Sequence, residues 1–313
     1  MTAERVTWLP PGRSRIVAVG DVIDDILVRP LGQIRLDTDT PAQIRQLPGG
    51  SAANFASWLA SDLQGMGAKK LQVEFVGRVA AVDLDRHHRE LERHGVLPKL
   101  QADEELPTGC IVVLLQGETR TFLTERGANQ NLSVAELLQS DLSDIALLYL
   151  SGYSITDALT EQEARGLLER ARLAGCVTMC DPGSAGFIDE YGPAKFLDIA
   201  SGADFFLPSR EEAQLLTDES NPVAAAETLA NHFGLVLVTL GSGGVAIAGG
   251  MEPARIVEIT AVDAVDATGA GDAFAAGLVA SLAAQPSGRM EDHIRAGSNL
   301  ARAALAKSGG RPA

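Results

Sequence analysis

Positive charge is scarce in this chain. Its 313 residues carry 26 lysines and arginines against 41 aspartates and glutamates, a formal net charge of -15, and no basic block offsets the deficit. A surface of that sign repels a phosphate backbone, so nucleic acid is not an expected partner, and any anion site has to be built locally. Cysteine is also scarce. Cys110, Cys176 and Cys180 are too few and too oddly numbered for a disulfide framework, which fits a reducing cytoplasm. Cys176 and Cys180 lie four apart in "CVTMCD", which reads as a strand, but no further Cys or His completes a zinc site, so core packing is expected. Long apolar runs are missing as well. The one from Ala273 to Ala284 falls well short of the roughly 20 residues a membrane helix needs. The opening "MTAERVTWLPPGRSR" has no apolar signal region and reads as a loose tail over residues 1–14. No Gly is followed by Lys, which removes the P-loop G-x-x-x-x-G-K-[ST].

What is there is the composition of a globular protein, 46% hydrophobic and 21% charged. Short β-branched runs ("RIVAVG", "QVEFVGRV", "ALLYLSG", "CVTMCD", "LVLVTLG") alternate with longer amphipathic ones ("AANFASWLASDLQ", "DRHHRELERHG", "EQEARGLLERARLAG", "NPVAAAETLANHFG"). Strand, helix, strand, helix implies a parallel sheet covered on both faces. Two helices are expected to close the chain, one opening at Asp272 and stopping near Pro286, the other running from about Met290 to Lys307. Two stretches, at about 25–47 and 108–124, lack helical period and read as extended. The second reads as a hairpin turning near Gln116, Gly117 and Glu118. Inserted between elements of the main domain, which spans residues 15–313, they would form one small accessory sheet acting as a lid.

Two glycine clusters compete for a nucleotide. Gly241, Gly243 and Ala246 fit G-x-G-x-x-A after "LVLVTL", but "VAIAGG" and "RIVEITAV" follow as strands, so the helix that should receive a pyrophosphate is absent. "DATGAGDAF", residues 266–274, instead leads into an apolar helix. There the backbone N–H groups of Gly269, Ala270, Gly271 and Asp272 can converge on an anion at the positive end of the helix dipole. The competing reading makes Asp272 a plain N-cap and the glycines a tight turn.

These residues resemble the C-terminal signature D-T-x-G-A-G-D-x-F of the ribokinase-like, PfkB-type carbohydrate kinases, with Asp266, Thr268, Gly269, Ala270, Gly271, Asp272 and Phe274 matching and Ala267 standing for the usual threonine. Other family motifs recur in order from about Arg15 to Gly310: Gly20, Asp21 and Asp25; Gly49, Gly50 and Asn54 in "GGSAAN"; Gly127 and Asn129 in "RGAN"; Ser209 and Glu212 in "PSREE", with Ser209 in place of the usual Asn; and Thr239, Gly241 and Gly244 in "TLGSGG". The resemblance implies a three-layer α/β/α sandwich with a mainly parallel central sheet and a small β-sheet lid. It further implies transfer of the γ-phosphoryl group of Mg-ATP to a sugar hydroxyl. By the same resemblance Asp272 is the general base and the Gly269 to Asp272 amides are the anion hole. Asp25, Gly49, Gly50 and Asn54 hold the acceptor, Thr239, Gly241, Gly244 and Ser209 lie at the nucleotide, and Glu212 organises magnesium through water. Asp266 and Thr268 match positions that ligate a monovalent cation in some members, which leaves potassium open, and relatives that dimerise through the lid suggest a homodimer.

Two alternatives stay open. A nucleoside kinase of this fold would want an aromatic wall, whereas only 4% of residues are aromatic and few fall near the substrate motifs. A catalytically weakened sugar sensor is suggested by Ala267 and Ser209. A substrate already carrying phosphate would need Arg45, Arg78 or Arg126.

Overall fold

Residues 8–67, 71–116, 119–250, 252–260 and 266–313 are described by the computed structural model. In chain order they form β1 (Arg15–Val19), β2 (Ile23–Pro30), β3 (Ala42–Gly49), α1 (Ser51–Gly65), β4 (Gln72–Ala80), α2 (Leu84–Arg93), β5 (Leu97–Asp103), β6 (Gly109–Gln116), β7 (Thr119–Glu125), α3 (Ala135–Gln139), β8 (Ile145–Ser151), α4 (Glu161–Leu173), β9 (Val177–Asp181), α5 (Ala185–Tyr191), α6 (Pro193–Ala200), β10 (Phe205–Phe206), α7 (Arg210–Thr217), α8 (Pro222–Leu229), β11 (Leu235–Thr239), β12 (Val245–Gly249), β13 (Glu252–Val257), α9 (Ala270–Ala284) and α10 (Met290–Leu305).

Nine strands make one sheet in the order β13-β12-β11-β10-β9-β8-β1-β4-β5. It is parallel from β11 to β5, and β12 runs antiparallel to both neighbours. Every residue of β8, "IALLYLS", is buried, as a strand covered on both faces requires. Its side chains alternate between two cores. Leu147 and Tyr149 join Phe55 of α1 and Leu278 of α9 on one face. Leu148 and Leu150 join Leu167 of α4, Phe196 of α6 and Leu229 of α8 on the other. The result is a three-layer α/β/α sandwich. Tyr149 and Phe55 stack with ring centroids 4.0 Å apart, tying α1 to the sheet.

The buried helix α9 is held by close contact with α10. A Cβ on Gly277 would come within 3.0 Å of the Gly297 Cα and the Ala296 carbonyl, and one on Gly297 within 2.7 Å of the Phe274 carbonyl. Glycine at both places lets the helices approach to backbone contact, which fixes where the N-terminus of α9 points.

The four remaining strands form a second sheet in the order β3-β2-β6-β7. It is mixed: β2 pairs with β3, and β6 with β7, in antiparallel fashion, while β2 and β6 run parallel. Of the expected hairpin turn, Gly117 and Glu118 lie outside the described residues.

Several boundaries differ from the sequence reading. Helix α9 starts at Ala270, two residues before Asp272, and α10 ends at Leu305. The strand read from "RIVEITAV" stops at Val257; residues 261–265 lie outside the described residues. Helices α5 and α6 went unread, each only about two turns long and divided by Gly192 and Pro193, where Pro193 opens α6. Cys176 and Cys180 are both buried in one core, the Cys176 thiol donating to the Leu142 carbonyl at 3.2 Å. Among the described residues no helix is long and apolar enough to cross a membrane.

Residues 8–14, read as part of a loose tail, are held in place. Leu9 is buried in the main core, and Trp8 lies 5.9 Å from the Phe205 ring with its backbone N–H donating to the Pro286 carbonyl at 3.0 Å. Arg13 donates to the carbonyls of Ile145 and Ala174 at 2.7 and 2.6 Å. The physical reason is that Trp8 and Leu9 carry enough apolar area to outweigh the entropy of ordering a short segment. Leu9→Ala is therefore expected to lower unfolding free energy by about 2–3 kcal/mol in urea titration. A loss below about 0.5 kcal/mol, the range of exposed positions, would return the segment to a mobile tail.

Candidate active site

Parallel strands of an α/β sheet present their C-terminal ends as a ligand crevice, because loops and helix N-termini gather there. At this edge lies a cavity of about 480 Å³, lined by Asp21 after β1, Asp181 at the end of β9, Thr239 at the end of β11, and residues at the starts of α1, α7 and α9. The lid strands contribute Asp25, Ile111, Val113, Phe122 and Thr124 to its wall.

Asp272 sits in the first turn of α9. The N-cap is Gly269, in the left-handed region at φ 75°, and no side chain caps the helix, so the reading of Asp272 as N-cap is overturned. Its carboxylate is turned toward α1 instead: Ser51 Oγ donates to Oδ1 at 2.6 Å and Asn54 Nδ2 to Oδ2 at 2.9 Å. Burial pushes the Asp272 carboxyl up to about 7 against the lowering effect of those two bonds, and Asp21 and Asp25 add repulsion. Of the four residues expected to form an anion hole, Gly269, Gly271 and Asp272 line the cavity and Ala270 does not; the Ala270 N–H closes a turn onto the Ala267 carbonyl at 3.3 Å.

Asp25, Gly50 and Asn54 line the same cavity; Gly49 does not, but it lies against the Asp25 carboxylate. A Cβ on Gly49 would fall 2.4 Å from Asp25 Oδ2, so glycine is what lets that carboxylate lie flat on the backbone of β3. Burial pushes Asp25 up to about 7, eased by Arg311 and worsened by Asp21, Asp24 and Asp266. Helix α1 begins at Gly50 with no cap of its own. Asp21 supplies one from the β1 loop, accepting from Ser51 N at 2.7 Å and from Ser151 Oγ at 2.9 Å.

The motifs expected at a nucleotide also meet. Ser209 pairs with Thr239 through an isolated parallel bridge, and Ser209, Glu212 and Thr239 all line the cavity; Gly241 and Gly244 shape the turn behind it without lining it. Ser209 and Glu212 form a capping box on α7, Ser209 N donating to Glu212 Oε2 at 2.7 Å and Glu212 N to Ser209 Oγ at 3.3 Å. S-x-x-E is a sequence-visible cap, and it supplies a structural reason for serine here. Burial raises Glu212, and it raises Asp181 further, with Glu212 and Asp272 adding repulsion at Asp181.

Sequence reasoning missed Ser51, Asp181, Tyr153 and Phe187. Asp181 had a signal, an acid closing an apolar run at the end of a parallel strand. The aromatic pair had none, since it reaches the cavity only through the fold. The expectation that few aromatics approach the substrate motifs is corrected here: Phe122, Tyr153, Phe187 and Phe274 all line the cavity. Of the three arginines considered, Arg45 is exposed on the lid, Arg78 pairs with Asp103 at 2.8 Å, and Arg126 lines the cavity. The Arg126 guanidinium lies 4.8 Å over the Tyr153 ring and pairs with Asp157 at 2.5 Å.

Comparison with known proteins places this geometry. A model of the pfkB family of carbohydrate kinases matches residues 13–313. A fructokinase of Vibrio alginolyticus is 28% identical over 278 residues, covering 86% of this chain and 84% of that protein. Among solved structures, the adenosine kinase of Sinorhizobium meliloti superposes with a TM-score of 0.80 at 22% identity, covering 96% of each chain. A fructokinase double mutant from Vibrio cholerae O395, bound to fructose, ADP and a potassium ion, superposes with a TM-score of 0.76 at 24% identity over 95% of this chain and 94% of that one. At these identities the two structural likenesses carry the fold alone.

The raised carboxyls have a measurable sign. A group at about 7 when folded and 3.8 when free takes up a proton on folding between those values, so its contribution to stability falls as pH rises through that window. Asp25→Asn removes the contribution. Thermal melts from roughly pH 4 to 8 should show the variant gaining on wild type as pH rises, with the difference levelling above about 8. A pH-independent difference would mean that Asp25 is not protonated in the folded state.

Proposed function

The chain belongs to the pfkB family of carbohydrate kinases, and on that premise we propose that it transfers the γ-phosphoryl group of Mg-ATP to a hydroxyl of a small neutral sugar. One observation carries the reading: Asp272 stands at the mouth of a helix N-terminus, inside the cavity, held by Ser51 and Asn54 with Asp25 on the same wall. In its ionised form Asp272 takes the proton of the acceptor hydroxyl. The resulting oxygen bonds to the γ-phosphorus as the bond to the ADP oxygen breaks, and the proton leaves on Asp272. Amides of the Gly269 to Asp272 turn face the charge spread over the transferred group, Gly269, Gly271 and Asp272 more directly than Ala270, and the dipole of α9 adds to them. Asp25, Gly50 and Asn54 receive the acceptor hydroxyls, with Gly49 as the floor under Asp25.

Glu212 and Asp181 fit a magnesium ion by the chemistry of the donor set, two carboxyls raised first by burial, with Glu212 adding repulsion at Asp181, which a divalent cation would relieve. Bound there, through water at Glu212, it would neutralise charge on the ATP phosphates. Ser209, Thr239, Gly241 and Gly244 border the nucleotide. Potassium belongs to the proposal at Asp266 and Thr268, given the ion in the Vibrio cholerae fructokinase structure; Thr268 Oγ1 donates to Asp266 Oδ1 at 2.8 Å.

A neutral acceptor follows from charge. Asp21, Asp25, Asp181, Glu211, Glu212 and Asp272 line the cavity, and Arg126, the arginine among its lining residues, is already matched by Asp157. A second reading, a nucleoside acceptor, is favoured by the aromatic wall of Phe122, Tyr153 and Phe187, which could take a base. The site's intact base argues against a sugar sensor. A homodimer through the lid is supported by exposed Leu31, Ile44, Phe122 and Leu123 on those strands and their connection, and a reducing cytoplasm by three free thiols.

ADP release with Mg-ATP, measured across free sugars, sugar acids, sugar phosphates and nucleosides, tests the reading. Turnover of one neutral sugar, lowered about 10²- to 10⁴-fold in Asp272→Asn, is expected. Turnover by nucleosides alone selects the second reading, and full activity in the variant removes Asp272 as base. Light scattering should give twice the chain mass; a monomer at every concentration removes the lid dimer.

A further inference from the structure

One charged side chain lies entirely within the protein and outside the mechanism above. Arg311 is 5% exposed. Its Nη2 donates to the Gly49 carbonyl at 2.8 Å, while Nε and Nη1, both buried, meet no hydrogen-bond partner among the described residues. A guanidinium left with two unsatisfied nitrogens is costly in so little water, and burial lowers it to about 10, which still leaves a cation at neutral pH. Something must compensate that charge. Gly49 is the residue on which the Asp25 carboxylate lies, so a cation anchored to the Gly49 carbonyl meets the same point of the chain, and Arg311 is not among the residues that line the cavity.

The segment leading to Arg311 is fixed along its length. Gly309 N donates to Asp266 Oδ2 at 3.2 Å, and Trp58 Nε1 donates to the Gly310 carbonyl at 2.8 Å. Cβ atoms built on Gly269 and Gly310 would fall 2.6 Å from Gly310 Cα and 2.3 Å from Asn54 Nδ2. Residues 309–311 are thus wedged between the turn before α9, helix α1 and the root of the lid, and the last of them reaches β3.

We propose that Arg311 is a positioning residue for the acceptor: anchored on Gly49, its buried guanidinium fixes the root of β3 and supplies the counter-charge that favours the ionised form of Asp25, the form that receives hydroxyls. The inference rests on the acceptor role given to Asp25 above. Of the charged groups acting on Asp25, Asp21, Asp24 and Asp266 oppose ionisation and Arg311 favours it; Cys110, on the paired strand β6, feels Asp25 and Asp24 in turn. Around Arg311 the further groups are Glu90, Asp24 and Arg86, with His87 and His94 held neutral by burial. Glu90, the carboxylate that acts on Arg311 most strongly, pairs with Arg93 at 2.8 Å, and Asp24 is matched by a two-bond pair with Arg86 at 2.7 and 2.6 Å, which leaves Asp25 as the one of the three with no ion pair of its own among the described residues.

Two measurements test this on the full chain. Carbon-13 titration of the Asp25 carboxyl in ligand-free protein should show its midpoint rising by at least about one unit in Arg311→Met and in Arg311→Gln, and returning toward wild type in Arg311→Lys. Arg311→Gln keeps a donor for Gly49 without the charge, so it remains informative if Arg311→Met does not fold. Calorimetric binding of the best acceptor from the panel should weaken about fivefold at neutral pH in the uncharged variants, the loss approaching about tenfold below roughly pH 6 and vanishing above about pH 9, while the KM for ATP stays within about twofold. An unshifted Asp25, or a binding loss equal at every pH, overturns the proposal. Shifted Asp25 titration in a protein that binds no sugar or nucleoside would uphold the electrostatic link and overturn the acceptor role on which its positioning function rests.

Discussion

Burial of several carboxylates in one cavity is the constraint around which this molecule is arranged. Asp21, Asp25, Asp181, Glu212 and Asp272 line one cavity of about 480 Å³, and gathering acids out of water is tolerable only if each finds donors or keeps its proton. The fold provides for them one at a time. Asp21 caps α1, Glu212 closes a capping box on α7, Asp272 takes Ser51 and Asn54 from α1, and Asp181 accepts from Gly183 N at 3.0 Å. Three helix N-termini converge because that is where unpaired N–H groups are found. The site is therefore also the place where α1, α7 and α9 are tied together.

Position is set from farther away. Helix α9 carries the Gly269 to Asp272 turn at the cavity, and its direction depends on backbone contact with α10 at Gly277 and Gly297. A β-carbon at either glycine would push the helices apart and move Asp272 off Ser51 and Asn54. Stacking of Phe55 on Tyr149 fixes α1 on the other side of the same contact. Core packing and acid placement are thus one problem, in which a small displacement of a helix changes the donors available to a buried charge.

Much of this was legible in the sequence, and the parts that were not share a cause. The three layers followed from alternation of apolar runs, since β8 is buried at every residue and its flanking helices are amphipathic. The G-A-G-D turn drew attention because small residues before an apolar helix suit an anion site, although a tight turn competed with that reading on spacing alone. Asp25, Asn54, Glu212 and Thr239, to which the resemblance gave separate roles, line one cavity. Ser51, Tyr153 and Phe187 carried no local signal; what matters about them is the residue they meet, more than 30 positions away in the case of Ser51 and Asp272. Trp8 and Leu9 were misread for the same reason: a polar, proline-flanked opening looks mobile until the groove beside Pro286 is known. Local patterns report on the backbone a residue makes, whereas contacts across the fold need the fold.

Asp25 and Asp272 both lie at about 7, and the shared value has opposite meanings for the two roles. A base serves best when its affinity for protons is near ambient, strong enough to take the acceptor proton and weak enough to be free of one beforehand. A residue that only receives hydroxyls gains nothing from being half protonated. Ionised Asp25 also raises Asp272, so in the proposed reaction the charge that receives the acceptor would also tune the base beside it. A cation behind Asp25 and not behind Asp272 separates the two: it favours the carboxylate where binding needs one, while desolvation and that neighbouring charge keep the base poised. In the proposed roles, Arg311, held on the Gly49 carbonyl and absent from the cavity lining, would do this without adding a positive charge to the wall that carries Asp272.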